Sequence, residues 1–152
     1  MKNVQLEAFN IIGISVRTTN ENNQAGIDIG ALWGRFMAEG VSAKIPNKID
    51  ESVYSIYTEY EGDYTQPYTT VLGCRVESLD DVPEGLEGFT FEGGNYGSLT
   101  AKGDLTKGLV YDEWVKIWGM DLKRAYTADF EVYGEKAQNP TDAEVGIFIA
   151  LK

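Results

Sequence analysis

The chain has 152 residues, 43% hydrophobic and 24% charged, so it is most simply one globular domain, 1–152, able to bury about two-thirds of its unfolded surface. A formal net charge of −11 and a pI near 4.4 argue against nucleic acid and anionic membrane as partners, because binding phosphate needs an excess of Lys and Arg. The single Cys74 cannot close an internal disulfide, no apolar run is long enough to span a bilayer, and Met1–Ala8 lacks a signal-peptide core, which together make the cytoplasm the expected compartment.

Residues 4–18 read as one strand, with Phe9, Ile11, Ile12, Ile14 and Val16 as its apolar material. Asn20, Glu21, Asn22 and Asn23 break it and offer caps for a helix. From about Gln24 to Glu39 the period turns helical through Ile29, Leu32, Trp33, Phe36 and Met37, and Gly40 stands where a terminating glycine belongs. Gly26, Gly30 and Gly34 fall on one stripe of this helix, which suggests close packing against a sheet. Residues 41–52 form a loop. Residues 53–60 and 68–76 then make an antiparallel pair joined through Glu61-Gly62-Asp63 and Pro67.

An acidic segment, 79–88, containing Pro83 and two glycines reads as a crossover, after which the order repeats. Residues 89–101 form a strand or tight hairpin interrupted at Gly93-Gly94-Asn95. Asp104 or Thr106 caps a helix whose Val110, Trp114, Ile117 and Trp118 make one apolar face. The strand Asp129–Tyr133, a turn through Asn139-Pro140 and a last strand, 144–151, complete the chain. The expected fold is therefore α+β: a duplicated βαββ unit with pseudo-two-fold symmetry, repeats of about 1–77 and 88–152, an antiparallel sheet, two main helices and a ligand cleft where the halves meet. Laying Gly62-Asp63 over Gly134-Glu135 puts Glu59 in the place of Glu131.

The strand Asp129-Phe130-Glu131-Val132-Tyr133 carries the most chemistry. Alternation puts Phe130 and Val132 on one face and Asp129, Glu131 and Tyr133 on the other. In isolation that second face would be wet, but inside a cleft Glu131 becomes a carboxylate buried beside rings. Other chemistries lack their residues. With no histidine there is no Ser-His-Asp or Cys-His arrangement and no His-ligated zinc, and one cysteine excludes a thiolate cluster. Glu92–Gly97 lacks the Lys-Ser/Thr of a phosphate loop, and Glu59–Asp63 lacks calcium-loop spacing. No metal or cofactor is expected. Tyr54, Tyr57, Tyr60, Tyr64 and Tyr68 read mainly as hairpin surface.

The run Trp114…Ile117-Trp118, the strand Asp129–Tyr133 and the closing Glu144-Val145-Gly146-Ile147-Phe148-Ile149 resemble the gyrase-inhibitor-like (GyrI-like) family, the effector-binding domain of AraC-type and multidrug-responsive regulators. Leu32-Trp33…Phe36, Tyr68…Val71-Leu72-Gly73-Cys74-Arg75-Val76 and Gly94-Asn95-Tyr96 fit the same pattern, so the likeness covers nearly the whole chain. The resemblance implies an aromatic pocket with an acidic residue that meets lipophilic cations. The family's Glu falls on Glu131, with Trp33, Tyr96, Trp118 and Tyr133 as lining aromatics and Glu59 as a second carboxylate. Nothing precedes Met1-Lys2, so no DNA-binding helices are expected and direct binding of nucleic acid is not. The implied function is a stand-alone binding protein for amphipathic cations. The resemblance also offers two alternatives, hydrolysis of strained small rings at Glu131 and a protein-partner role in gyrase protection.

Overall fold

A computed structural model describes residues 1–152. The elements run β1 (Lys2–Leu6), β2 (Phe9–Thr18), α1 (Gln24–Ala38), a short α2 (Val41–Lys44), β3 (Val53–Thr58), β4 (Tyr68–Val76), β5 (Glu87–Phe91), β6 (Gly94–Gly103), α3 (Leu109–Trp118), β7 (Ala128–Tyr133) and β8 (Ala143–Ala150). All eight strands form one antiparallel sheet in the order β1-β6-β8-β7-β3-β4-β2-β5. That order is palindromic. Placing β1 and β2 on β5 and β6, and β3 and β4 on β7 and β8, converts each ladder into its counterpart, with β3 and β7 paired at the centre.

The strand layout differs from the sequence expectation at two places, and the segment 41–52, expected as a loop, begins with the short helix α2. Residues 4–18 are not one strand: the chain breaks at Glu7-Ala8, so each half is ββαββ. Residues 89–101 are not a hairpin either. β5 pairs with β2 of the first half, while β1 pairs with β6 of the second, so the halves exchange their leading strands. Alternating hydrophobicity marks a strand without naming its partner, which is why this exchange escapes the pattern. Where the two connections meet, a Cβ on Gly93 would stand 1.9 Å from the carbonyl oxygen of Leu6. Only glycine fits that approach.

The sheet is strongly curved. β2 and β7 are three strand spacings apart, roughly 14 Å on a flat sheet, yet the Phe9 and Phe130 ring centroids lie 5.3 Å apart. Phe91, Tyr96, Tyr54 and Phe148 join them in a ring cluster on the concave face. Facing glycines, Gly13 and Gly73, sit directly opposite each other in the β2–β4 ladder. A Cβ on Gly13 would meet the Leu72 carbonyl oxygen at 1.9 Å, so the bare pair permits the close coiling there.

Both helices lie on the convex face. α1 buries Leu32 and Phe36 against Ile12, Ile14, Leu72 and Cys74, and α3 buries Trp114 and Ile117 against Ala101, Ile147 and Ile149. The glycine stripe of α1 does not make that packing. Gly26, Gly30 and Gly34 are exposed, and an added Cβ at any of them meets nothing within 4 Å. Each helix covers its own half of the sheet, leaving the central strands β3 and β7 roofed only by the gap between them.

Candidate functional site

Pleating sends Ser55 and Tyr57 of β3, and Asp129, Glu131 and Tyr133 of β7, into that gap. The result is a cavity of about 380 Å³, within the range of small-molecule sites. Its lining includes Trp33 of α1, Trp114 and Trp118 of α3, and Tyr57, Glu131 and Tyr133 of the central strands; Gly26 and Gly30 open its α1 side. A wider depression beside it shares Trp33, Val110, Tyr111 and Tyr133.

Glu131 is 1% exposed. A bare buried carboxylate would be costly, and three donors hold this one. The Tyr57 hydroxyl donates to Oε2 at 2.7 Å, the Trp114 indole N–H to Oε2 at 2.6 Å and the Tyr133 hydroxyl to Oε1 at 2.6 Å. Ser55, directly across the ladder, donates to the Tyr57 hydroxyl at 3.3 Å. Burial pushes the Glu131 carboxyl above its ordinary value, and the hydrogen bonds from Tyr133, Tyr57 and Trp114 pull it back part of the way. Burial, followed by the adjacent Glu131 charge, raises the hydroxyls of Tyr57 and Tyr133, keeping both protonated and able to donate.

The rings are locked by edge contacts. Trp33 meets Tyr133 with centroids 5.0 Å apart at 80°, and Tyr57 meets Trp114 at 5.5 Å and 87°. Tyr64, from the turn after β3, stacks on Trp118 at 5.1 Å with the planes 4° apart. Such pairs add about 0.5–1.5 kcal/mol each beyond buried area, so the walls are rigid apolar surfaces. Behind them, Asp129 is fully buried. It accepts from the Tyr60 hydroxyl at 2.6 Å, from Arg124 Nη2 at 2.7 Å and from the Ala150 amide at 2.8 Å.

The structure gathers Glu131, Tyr133, Trp33 and Trp118 on this cavity and leaves out the other two expected residues. Tyr96 points to the opposite face of the sheet, among Phe9, Phe91 and Phe130, where its hydroxyl donates to the Ala128 carbonyl at 3.0 Å. The pleat decides this: on β6 the side chains facing α3 are those in step with Ala101, and Tyr96 is out of step. Glu59 is exposed beyond the end of β3 at φ +50°, with its carbonyl accepting from Arg17. Its side chain does not reach the cavity. The ladder registers replace the Gly62/Gly134 alignment with one that puts Ser55 on Glu131 and Tyr57 on Tyr133. Tyr57, Tyr60, Tyr64 and Tyr68 are cavity residues, not hairpin surface. Trp114, expected only as packing, is a donor to the carboxylate. Arg124 lies in an aperiodic segment that carries no signal of its role.

A cavity between two helices on an eight-stranded pseudo-symmetric sheet defines a fold of the GyrI-like type. The family model described as "Cass2: Integron-associated effector binding protein" matches residues 4–151, and the chain belongs to that family. It is similar to the integron cassette protein VCH_CASS2 from the mobile metagenome of Vibrio cholerae, with 30% identity, a TM-score of 0.77, and 99% of this chain and 95% of that one covered. It is 29% identical over 151 residues to the "Putative transcriptional regulator protein YobU" of Bacillus subtilis (strain 168), covering 97% of this chain and 94% of YobU. The protein SAV2435, solved with tetraphenylphosphonium bound, shares the fold with a TM-score of 0.81 at 16% identity, covering 99% of this chain and 93% of that one. No helix is long and apolar enough to cross a membrane.

Proposed function

We propose that this chain binds lipophilic organic cations in the aromatic cavity, with Glu131 as the fixed counter-charge. The observation that carries the reading is a carboxylate buried to 1% exposure in a wall of tryptophan and tyrosine rings. A cation entering such a site gains Coulomb energy that water would suppress: two unit charges 4 Å apart interact by about 1 kcal/mol in water and about 4 kcal/mol at an effective dielectric constant of 20. The ring faces add cation–π attraction and apolar contact that tolerates varied ligand shapes. Tetraphenylphosphonium on the fold relative SAV2435 supports the same ligand chemistry. Occupancy then either sequesters the ligand or is read by a protein partner, as the naming of YobU as a putative regulator suggests.

The same geometry favours a binding role for Glu131 over a chemical one. Both carboxylate oxygens already accept from neutral donors, an arrangement that holds a charge in place. The test is thermal denaturation with added tetraphenylphosphonium. At a concentration a hundred times Kd, ligand that binds only the folded state adds about 2.7 kcal/mol of stability. A rise in Tm that shrinks in Glu131→Gln supports the reading, and an unchanged wild-type Tm across a panel of lipophilic cations refutes it.

A further inference from the structure

The concave face of the sheet holds a smaller pocket of about 130 Å³, walled by Phe9, Tyr54, Phe130, Val132 and Phe148 with Leu6. A cavity of roughly 150 Å³ can hold a benzene ring. Arg75 lines this pocket. It stands opposite Ile11 in the β2–β4 ladder and in step with Val71, and both belong to the concave cluster, so the pleat sends its side chain to this face. Nε is sealed without a partner, whereas the two terminal nitrogens make no hydrogen bond within the protein and keep accessible area. The root of the guanidinium is in the wall and its tip is open. Two pocket residues bracket that tip. Cζ lies 5.5 Å from the centroid of the Phe9 ring. The Tyr54 hydroxyl is pushed up to about 12 by burial and by Asp50, and the Arg75 charge pulls it back, which sets the guanidinium beside that hydroxyl. The other three arginines each meet a carboxylate: Arg17 with Glu61, Arg35 with Glu39 and Arg124 with Asp129. Arg75 pairs with none, although Glu7 lines the same pocket.

We infer that this pocket is a second small-molecule site, for a planar aromatic monocarboxylate whose ring lies among the phenylalanines and whose two oxygens meet the open end of Arg75. A guanidinium fork and a carboxylate match through two parallel hydrogen bonds, a geometry that a point charge does not select. The surrounding rings offer flat apolar contact to the rest of such a ligand. A monoanion suits the site better than a dianion, because Arg75 cancels one charge and Glu7 opposes a second. The net charge of −11 repels anions at a distance. Salt at ~0.15 M screens that field beyond about 8 Å, which leaves the contact with Arg75 to decide affinity. Alternation along β7 puts Phe130 and Val132 on the face opposite Glu131, so the site is separate from the cation cavity and does not depend on the cation-binding reading.

NMR titration of the full chain with benzoate and with nitrobenzene, its uncharged isostere, tests this. Wild type should bind benzoate on the order of tenfold more tightly than nitrobenzene, the scale of hydrogen bonds to a charged donor. Arg75→Met keeps an unbranched stem in the wall but removes the fork, and should erase the preference by weakening benzoate alone. Glu7→Gln removes the opposing charge and should tighten benzoate while leaving nitrobenzene unchanged. In wild type, intermolecular NOEs from the benzoate ring should fall on Phe9, Phe130, Val132 and Phe148, which locates the site even if Arg75→Met does not fold. Absence of benzoate binding, equal affinities for the two ligands, a preference that survives Arg75→Met, or NOEs to Tyr57 and Trp114 in the cation cavity instead would each overturn the site.

Discussion

Ser55 and Glu131 are directly paired across the β3–β7 ladder, at the position where the pseudo-two-fold exchanges the two halves of the sheet. The two positions are therefore equivalent in backbone and different in chemistry. The flanking Tyr57 and Tyr133 are equivalent as well, and both turn their hydroxyls to the one carboxylate. A symmetric scaffold thus presents a single negative charge near its axis, clasped from both sides.

The first prediction concerns stability without ligand. The folded-state pKa of Glu131 lies above its ordinary value because of burial. The folded protein therefore holds this proton more tightly than the unfolded chain. The stabilisation is fully present below the unfolded pKa and is lost as pH rises through the folded one. The difference in Tm between wild type and Glu131→Gln should accordingly shift in favour of wild type as pH falls through that window. A pH-independent difference would show that Glu131 ionises in the folded protein as it does in the unfolded chain.

The clasp sets where that window falls. Tyr133→Phe and Tyr57→Phe each remove a donor that favours the ionised carboxylate, so each should raise the Glu131 pKa further. A permanently charged cation binds the ionised form, and its affinity weakens as pH drops through the pKa of the unliganded protein. That midpoint should move to higher pH in both variants, as read by calorimetry across pH. A midpoint moving to lower pH would contradict the role of the two hydroxyls.

Glycines separate two kinds of constraint. Gly34 is exposed in α1 with open space around its Cα, so Gly34→Ala should stabilise the protein by about 0.5–1 kcal/mol. Gly93→Ala drives a methyl into the Leu6 carbonyl at the strand exchange and should destabilise it by more than about 2 kcal/mol. Urea denaturation measures both. Equal effects at the two sites would mean that the strand exchange tolerates a side chain.

Much of this architecture is legible in the residues. Period-two and period-3.6 hydrophobicity mark the helices and central strands, and the alternation in Asp129–Tyr133 puts Glu131 and Tyr133 on one face. Strand exchange is not legible, because β1 and β5 alternate in the same way whichever partner they take. Tyr96 shows the limit of the pattern. Its ring suits a pocket wall as well as a core, and only its step relative to Ala101 assigns it to the concave face. Aligning the turns misplaces Glu59, because turns vary in length, whereas the ladders put Ser55 opposite Glu131. Trp114 reads as core from its helical spacing, yet its N–H requires an acceptor, and that requirement points toward a buried carboxylate. Arg124 falls between elements, where no period exists to place it.

Removing the carboxylate of Glu59 is the control for the effect of Glu131→Gln. Glu59 is exposed and outside the cavity, so Glu59→Gln should leave cation affinity within a factor of about two, the size of an ordinary surface change. A loss comparable to that of Glu131→Gln would return Glu59 to the site.

The most direct test of the counter-charge is calorimetric titration of wild type and Glu131→Gln at neutral pH with (4-biphenylyl)trimethylammonium and with its uncharged isostere 4-tert-butylbiphenyl. Loss of a partly buried charge pair should weaken the cation by on the order of tenfold or more, about 1.4 kcal/mol or above, while the neutral ligand binds both proteins alike. A Glu131→Gln protein that holds the cation as tightly as wild type does would contradict the assignment of Glu131 as the charge that receives it.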